Sequence, residues 1–444
     1  MKKRLVSLLG GMSMLGLVTG CQNYSSLSTP DATQIIAENI VSLSNILEGD
    51  ISYRMVVEGF DWGAGTTALI IDLGDQQVNS SMLDVNDFEV SVFRQNQGGT
   101  YEERTILSVY TSDAYGNEST TASSFITIEL EVTPQSGNPF FFFFDAGVMG
   151  NMWADPYAHT ITYRGTELSP VQTGRIMPLT DKFNLDGEFT GSDGVSIQYA
   201  YFQPQASESQ PLIVWLHGAG EGSLDGTVGT EILLLGNRVT QLVAPEIQDI
   251  LGGAYILTPQ TGTRWLNSGD WAHVDGQSKY ETALIELIET FIANNPNIDT
   301  DRVYIGGGSN GGFMALRVLF SRPDLIAASL PICIYFDPSA ISEEEIAKVV
   351  DIPMWLVHDI NDPTTPFEHT ESLYNRLLAA GATNVHLTYT DGIYDTTGQF
   401  FDEEGNPHRF HDHWTWVPVL NNEVETEIDG QTITIFEWLA AQSR

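Results

Sequence analysis

Basic residues are scarce. Nineteen Lys and Arg stand against 58 Asp and Glu, a formal charge of −39 at pH 7, which excludes nucleic acid and any polyanionic ligand held by surface charge. The acidic residues are spread along the chain and read as a solvated surface. Cysteine is nearly absent, with only Cys21 and Cys333 among 444 residues. Long apolar runs are missing as well, since the stretch 5–18 is too short for a membrane span. There is no internal repeat and no low-complexity tract. What is plentiful is core-forming material, 42% hydrophobic and 10% aromatic residues, and a chain of this length divides into two or three domains.

The start reads as an export signal. Met1-Lys2-Lys3-Arg4 is the basic head and residues 5–18 the short apolar core. Val18-Thr19-Gly20-Cys21 resembles the lipobox of bacterial lipoproteins. That resemblance implies cleavage after residue 20, a lipidated Cys21, and a polar tether over 21–37 rich in Ser, Thr and Gln. The protein is then expected to be exported and lipid-anchored at the bacterial cell surface or envelope, meeting the membrane only through its anchor. Cys333 would remain alone, with no intrachain disulfide available; its apolar surroundings read as those of a buried, inert thiol.

Between 38 and 176 the pattern is one of short β-rich segments, at 53–57, 67–73, 88–93, 105–110, 124–132 and 140–145, bounded by Gly, Asn, Asp or Ser. Such spacing predicts an all-β sandwich. The phenylalanine run 140–144 reads as a core strand buried on both faces rather than a ligand-stacking site, because exposed it would be an aggregation hazard. From 177 to 444 the chain changes character. A hairpin around Ser192-Asp193-Gly194 is followed by strand candidates at 212–216, 254–258, 302–305, 327–332, 353–357 and 385–390. Helical patterns lie between several of them, notably 280–293 and 367–380. Alternation of this kind predicts a mostly parallel sheet covered on both sides.

The chemistry centres on Ser309. Val303-Tyr304-Ile305 runs into Gly306-Gly307-Gly308-Ser309-Asn310-Gly311-Gly312 and then into an apolar helical segment that Arg322-Pro323 stops. A serine hydroxyl becomes a useful nucleophile when a sharp strand-to-helix turn projects it between a base and a substrate, and Gly307 and Gly311 supply the missing Cβ atoms of such a G-x-S-x-G elbow. Gly306, Gly308 and Gly311 also spell a dinucleotide fingerprint, with Asp337 as its ribose-binding acid. A lone match of this kind is weak, and it falls too late in its domain.

Three further pieces follow in the order serine, acid, histidine. The strand 212–216 ends in His217-Gly218-Ala219-Gly220-Glu221, a turn that can aim the Ala219 amide at a developing oxyanion beside the amide of Asn310. His217 itself reads as packing beneath that turn. In Val357-His358-Asp359-Ile360-Asn361-Asp362, Asp362 is the acid that would hold an imidazole in its working tautomer, with Asp359 as the alternative. In His408-Arg409-Phe410-His411-Asp412-His413-Trp414-Thr415-Trp416, His413 is the preferred base and His411 its competitor. His408, His411, Asp412 and His413 match no zinc spacing, so neither a metal nor any other cofactor is called for. Trp265, Trp271, Trp414 and Trp416 are candidates for lining a pocket, although packing is the commoner role.

On these motifs the region from about 185 to the end resembles the α/β-hydrolase esterases of the prolyl oligopeptidase and dienelactone hydrolase neighbourhood. Residues 88–145 resemble the immunoglobulin-like domain that precedes the hydrolase in some bacterial esterases. The resemblance implies a doubly wound α/β-hydrolase sheet behind an immunoglobulin-like sandwich. It also implies a serine esterase in which Ser309 attacks, Asp362 orients His413, and the amides of Ala219 and Asn310 hold the oxyanion. The expected substrates are small or carbohydrate-linked esters. Asp359 stands where such enzymes have glycine, and an acidic insertion at 398–407 precedes the histidines. A serine peptidase is the second reading, although no anchor for a substrate amine is evident. A non-catalytic surface-binding lipoprotein is the third.

Overall fold

A computed structural model describes residues 43–444 apart from 96–98, 135–141, 146, 148–149, 206–207, 223–228 and 267–275. The leader, the tether, Cys21, Trp271 and the first two of the five phenylalanines therefore lie outside the described residues.

The first domain is a sandwich of two sheets. Its strands are β1 (Ser52–Phe60), β2 (Gly63–Asp72), β3 (Phe88–Arg94), β4 (Thr100–Arg104), β5 (Ile106–Ser112), β6 (Phe125–Leu130), β7 (Phe142–Asp145), β8 (Gly150–Trp153), β9 (Tyr157–Tyr163), β10 (Thr166–Glu167) and β11 (Val171–Ile176). One sheet has the order β11-β1-β2-β6-β5 and the other β10-β9-β3-β4. Strands such as β3 and β9 alternate buried and open positions, the period-two signature of a sheet with one face on a core. Leu69, Ile71, Val90, Val92, Ile126, Ile128 and Ile161 fill that core. The sequence pattern missed β4, a charged strand, and all of β8 to β11, including β9, which pairs with β3. It also missed the parallel pairing of β1 with β11, which joins segments more than a hundred residues apart.

Residues 142–144 depart from expectation. Among the described residues β7 pairs only with β8, in a two-stranded ribbon, and Phe144 is 52% exposed. Phe142 to Phe144 are not a core strand buried on both faces. Phe142 and Phe143 are partly buried against the sandwich core, while Phe142, Phe143 and Phe144 also line a cavity with Gly218 to Glu221 of the second domain.

That second domain is built on an eight-stranded sheet. Its strands are β12 (Asn184–Thr190), β13 (Ser196–Phe202), β14 (Gln210–Leu216), β15 (Tyr255–Gln260), β16 (Ile298–Gly308), β17 (Ala328–Ile332), β18 (Met354–Asp359) and β19 (Val385–Thr390). The order is β12-β13-β15-β14-β16-β17-β18-β19, antiparallel up to β15 and parallel from there on. β14 is buried at every position, as a central strand covered on both faces must be. One face is packed by helices α1 (Glu281–Asn294), α2 (Asn310–Ser321) and α3 (Phe367–Ala380) through Leu284, Leu287, Phe313, Leu316 and Leu373. The other carries Trp416, Val419, Phe436 and Trp438. α2 stops at Ser321, two residues before Pro323, because a residue preceding proline is pushed out of the helical region. No described helix is long and apolar enough to cross a membrane.

The two domains are locked together by mixed contacts. Arg238 ion-pairs with Asp61, which is only 4% exposed, and Asn421 donates to the same carboxylate at 3.2 Å. The acidic insertion folds back so that the Phe400 ring lies 6.1 Å from Phe60 and 6.0 Å from Trp62.

Candidate active site

β16 delivers Ser309 at the centre of the sheet. Its backbone has φ 56° and ψ −114°, a region that a residue bearing Cβ occupies only when its surroundings force it. Those surroundings are visible. A Cβ on Gly307 would lie 2.4 Å from the Leu216 carbonyl oxygen, and one on Gly311 would lie 2.1 Å from the same atom. Neither can exist, so the turn closes only with glycine on both sides of the serine. The Ser309 N–H donates to Ile332 O at 2.9 Å, and its carbonyl accepts from Tyr335 N at 3.1 Å. Asp337, the candidate ribose-binding acid, instead caps the following turn through Ser339 N at 2.8 Å.

The Ser309 side faces a cavity of about 630 Å³. Gly218, Ala219, His411 and His413 share it, while Trp62, Phe142, Phe143, Phe144, Trp414 and Trp416 form its apolar wall. Ala219 opens a short helical turn and Asn310 opens α2. Amides in a first helical turn have no intrahelical acceptor, so both have an N–H to offer. The Asn310 side chain faces elsewhere, accepting from Trp265 N at 2.8 Å. Trp265 is fully buried and donates its indole N–H to His217 O at 3.0 Å. Trp265 is thus packing, and only Trp414 and Trp416 of the described candidates reach the cavity.

His217 donates from Nδ1 to Gly218 O at 2.5 Å and accepts at Nε2 from Thr261 N at 3.2 Å. Burial holds its ring down at about 4. A neutral imidazole with both nitrogens engaged is a brace for the turn.

Asp362 and His413 meet directly. His413 Nδ1 lies 2.7 Å from Asp362 Oδ2. Burial alone would raise the Asp362 carboxyl, but hydrogen bonds from His358 and His413 outweigh it and hold the group well below the usual carboxylate range. Thr364 N and Thr365 N donate to its other oxygen at 2.7 and 3.0 Å. Asp359, the alternative acid, is fully buried and otherwise occupied, accepting from Asn361 N at 2.8 Å, Thr390 Oγ1 at 2.7 Å and Gly392 N at 2.6 Å. It ties the ends of β18 and β19 together. His411 lines the cavity, and its Nδ1 accepts from His413 N at 3.2 Å.

Sequence reasoning gave no role to several residues found here. His358 touches Asp362 from behind, with Nε2 at 3.1 Å from Oδ2. Glu221 is buried at the cavity edge, where one carboxyl oxygen accepts from Asn151 Nδ2 at 3.2 Å. Burial pushes its carboxyl up to about 7, with Asn237 and Asn151 pulling the other way. Trp62, Asn151 and Phe142 to Phe144 come from the sandwich domain, which no local motif connects to Ser309. The fully buried Cys333 packs behind the site, and its sulphur, an Asp362 oxygen and a His413 nitrogen lie within 4.8 Å of one another. Burial, with the Asp362 charge adding to it, pushes the thiol well above its ordinary range, which makes it a poor nucleophile and a poor metal ligand.

A parallel sheet that presents a strained serine from its central strand, with a carboxylate-held imidazole arriving from the C-terminal loops, is the arrangement of the α/β-hydrolases. Known families narrow this. Residues 52–173 match the esterase Ig-like N-terminal domain and residues 198–402 match the phospholipase/carboxylesterase family, so the chain is a carboxylesterase-type hydrolase preceded by an immunoglobulin-like domain. The solved structure of a thermostable esterase shares the fold over 88% of this chain and 100% of its own, with TM-score 0.69 and 24% identity. A ferulic acid esterase is 17% identical over 48% of this chain and 90% of its own, with TM-score 0.37. No curated protein matches the chain.

Proposed function

We propose that this protein hydrolyses carboxylic esters through a Ser309-His413-Asp362 triad and an acyl-enzyme. The observation that carries this reading is the 2.7 Å contact between His413 Nδ1 and Asp362 Oδ2 beside a cavity that His413 and Ser309 share. Asp362 fixes His413 with its proton on Nδ1 and leaves Nε2 free as the base. Nε2 takes the Ser309 proton as Oγ bonds to the ester carbon. The amides of Ala219 and Asn310 take up the oxyanion charge. Collapse breaks the bond to the alcohol oxygen, which leaves with the proton from His413, and a water then repeats the sequence to free the acid.

The aromatic wall favours an ester with one compact aromatic or aliphatic group, and the cavity volume suits a small substrate better than a long lipid chain. Esters carried on carbohydrate remain within this class. The basic-apolar leader and the residues before Cys21 support export and a lipid anchor, which the mass of the mature N-terminal peptide would test. For the chemistry, a fluorophosphonate probe should label the protein at Ser309, and Ser309→Ala should lose both labelling and several orders of magnitude in kcat on nitrophenyl esters. Retained turnover in purified Ser309→Ala would refute the assignment.

A further inference from the structure

Asp362 receives not one imidazole but two. His358 is fully buried, and its Nε2 stands 3.1 Å from Asp362 Oδ2, the oxygen that His413 occupies, and 3.1 Å from the Thr365 carbonyl oxygen. Both neighbours of Nε2 accept and neither can donate, so Nε2 carries a proton. Its Nδ1 lies 2.6 Å from Thr370 Oγ1, a hydroxyl that can donate to it. The ring is further held by Phe367, edge-on at 5.8 Å. With Thr364 N and Thr365 N on the other oxygen, four donors surround the Asp362 carboxylate. Any rotation about its Cβ–Cγ bond short of the half-turn that exchanges its two equivalent oxygens pulls the carboxylate away from these donors.

We infer that His358 is a positioning residue for the reaction, its Nε2–H clamping the Asp362 carboxylate in the one orientation that presents Oδ2 to His413. The inference rests on the triad reading above. His358 touches no substrate and exchanges no proton in the cycle. Its contribution is felt as charge builds on His413: a carboxylate already held in line stabilises the imidazolium without reorganising. Thr370 sets the clamp's tautomer in turn. The charged or titratable groups around this ring are Asp362, His413 on the same carboxylate oxygen and, from the same helix as Thr370, His369.

The test compares His358→Leu, His358→Gln and Thr370→Val with Asp362→Asn on one soluble nitrophenyl ester, alongside thermal unfolding. Glutamine can place an amide N–H near the position of Nε2, whereas leucine cannot. His358→Leu should lower kcat about 10- to 100-fold, the worth of a hydrogen bond to a charged group when it is felt fully at the transition state. KM should stay within about twofold. His358→Gln should recover most of the loss, and Thr370→Val should fall between. If His358→Leu lowers the melting temperature but leaves kcat intact, or if glutamine is no better than leucine in folded protein, the clamp is wrong. If Asp362→Asn itself leaves kcat unchanged, the triad reading fails instead.

Discussion

His413 and Asp362 are 51 residues apart in the chain, yet Nδ1 of the one lies 2.7 Å from Oδ2 of the other. Between them the sequence runs through α3, β19 and the acidic insertion, so the contact is made by the fold and by no local pattern.

Asp362 and Asp359 should separate cleanly. Asp362→Asn mis-sets the His413 tautomer and should lower kcat by roughly four orders of magnitude while the protein stays folded. Asp359→Asn leaves three donors facing an amide. It should lower stability by about 1–3 kcal/mol with kcat close to native. Turnover of a nitrophenyl ester and thermal unfolding of both variants decide the matter, and the reverse pattern would make Asp359 the working acid.

The two candidate bases are distinguished in the same way. His413→Ala should lose several orders of magnitude in kcat, because the other imidazole bonded to Asp362, that of His358, does not line the cavity. His411→Ala should keep turnover, since its ring serves mainly to accept the His413 N–H. Activity retained by His413→Ala and lost by His411→Ala would overturn the assignment.

Glu221 makes stability depend on pH. Its carboxyl is raised from 4.5 to about 7 in the folded protein, so the native state holds a proton that the unfolded chain releases more readily. The associated stability is fully present below pH 4.5 and is lost as pH rises through 7, a difference on the order of 3 kcal/mol. Glu221→Gln keeps the shape without the charge. Its melting temperature should exceed native above neutrality and show a flatter profile between about pH 4 and 9.

The sandwich domain should contribute to substrate binding. Trp62→Ala and Phe142→Ala each remove part of the cavity wall, and an aromatic side chain that buries against substrate is worth about 1.5–3 kcal/mol. KM for an aryl ester should rise roughly tenfold or more with kcat little changed, whereas an acetyl ester of a small alcohol should be much less affected. Equal effects on both substrates would mean that the wall is structural.

Much of the site was legible because its signals are local. The elbow can be read at Ser309, since the glycines at 307 and 311 follow from contacts with Leu216 that any such turn must make. The strand ending at Leu216 follows from its continuous apolar run and the helix Phe367–Ala380 from its periodicity. Other features left no local trace. His358 looks like one more residue at a strand end until the loop 359–365 curls back to set Asp362 against it. The phenylalanines near 142 looked like core, because an apolar run does not say which surface will cover it.

Taken alone, the order of residues determined the two-domain plan, the strained serine, and a short set of acids and histidines from which a triad could be drawn. These depend on neighbours in sequence, through steric limits on φ and ψ and through hydrophobic period. Only the tertiary structure decided between Asp359 and Asp362 as partner of His413, placed a second imidazole on that carboxylate, and brought the aromatic ribbon of the sandwich over Ser309. Those outcomes turn on distances of about 3 Å between segments tens to hundreds of residues apart, and hydrogen bonds and packing act at that range however the chain connects their partners.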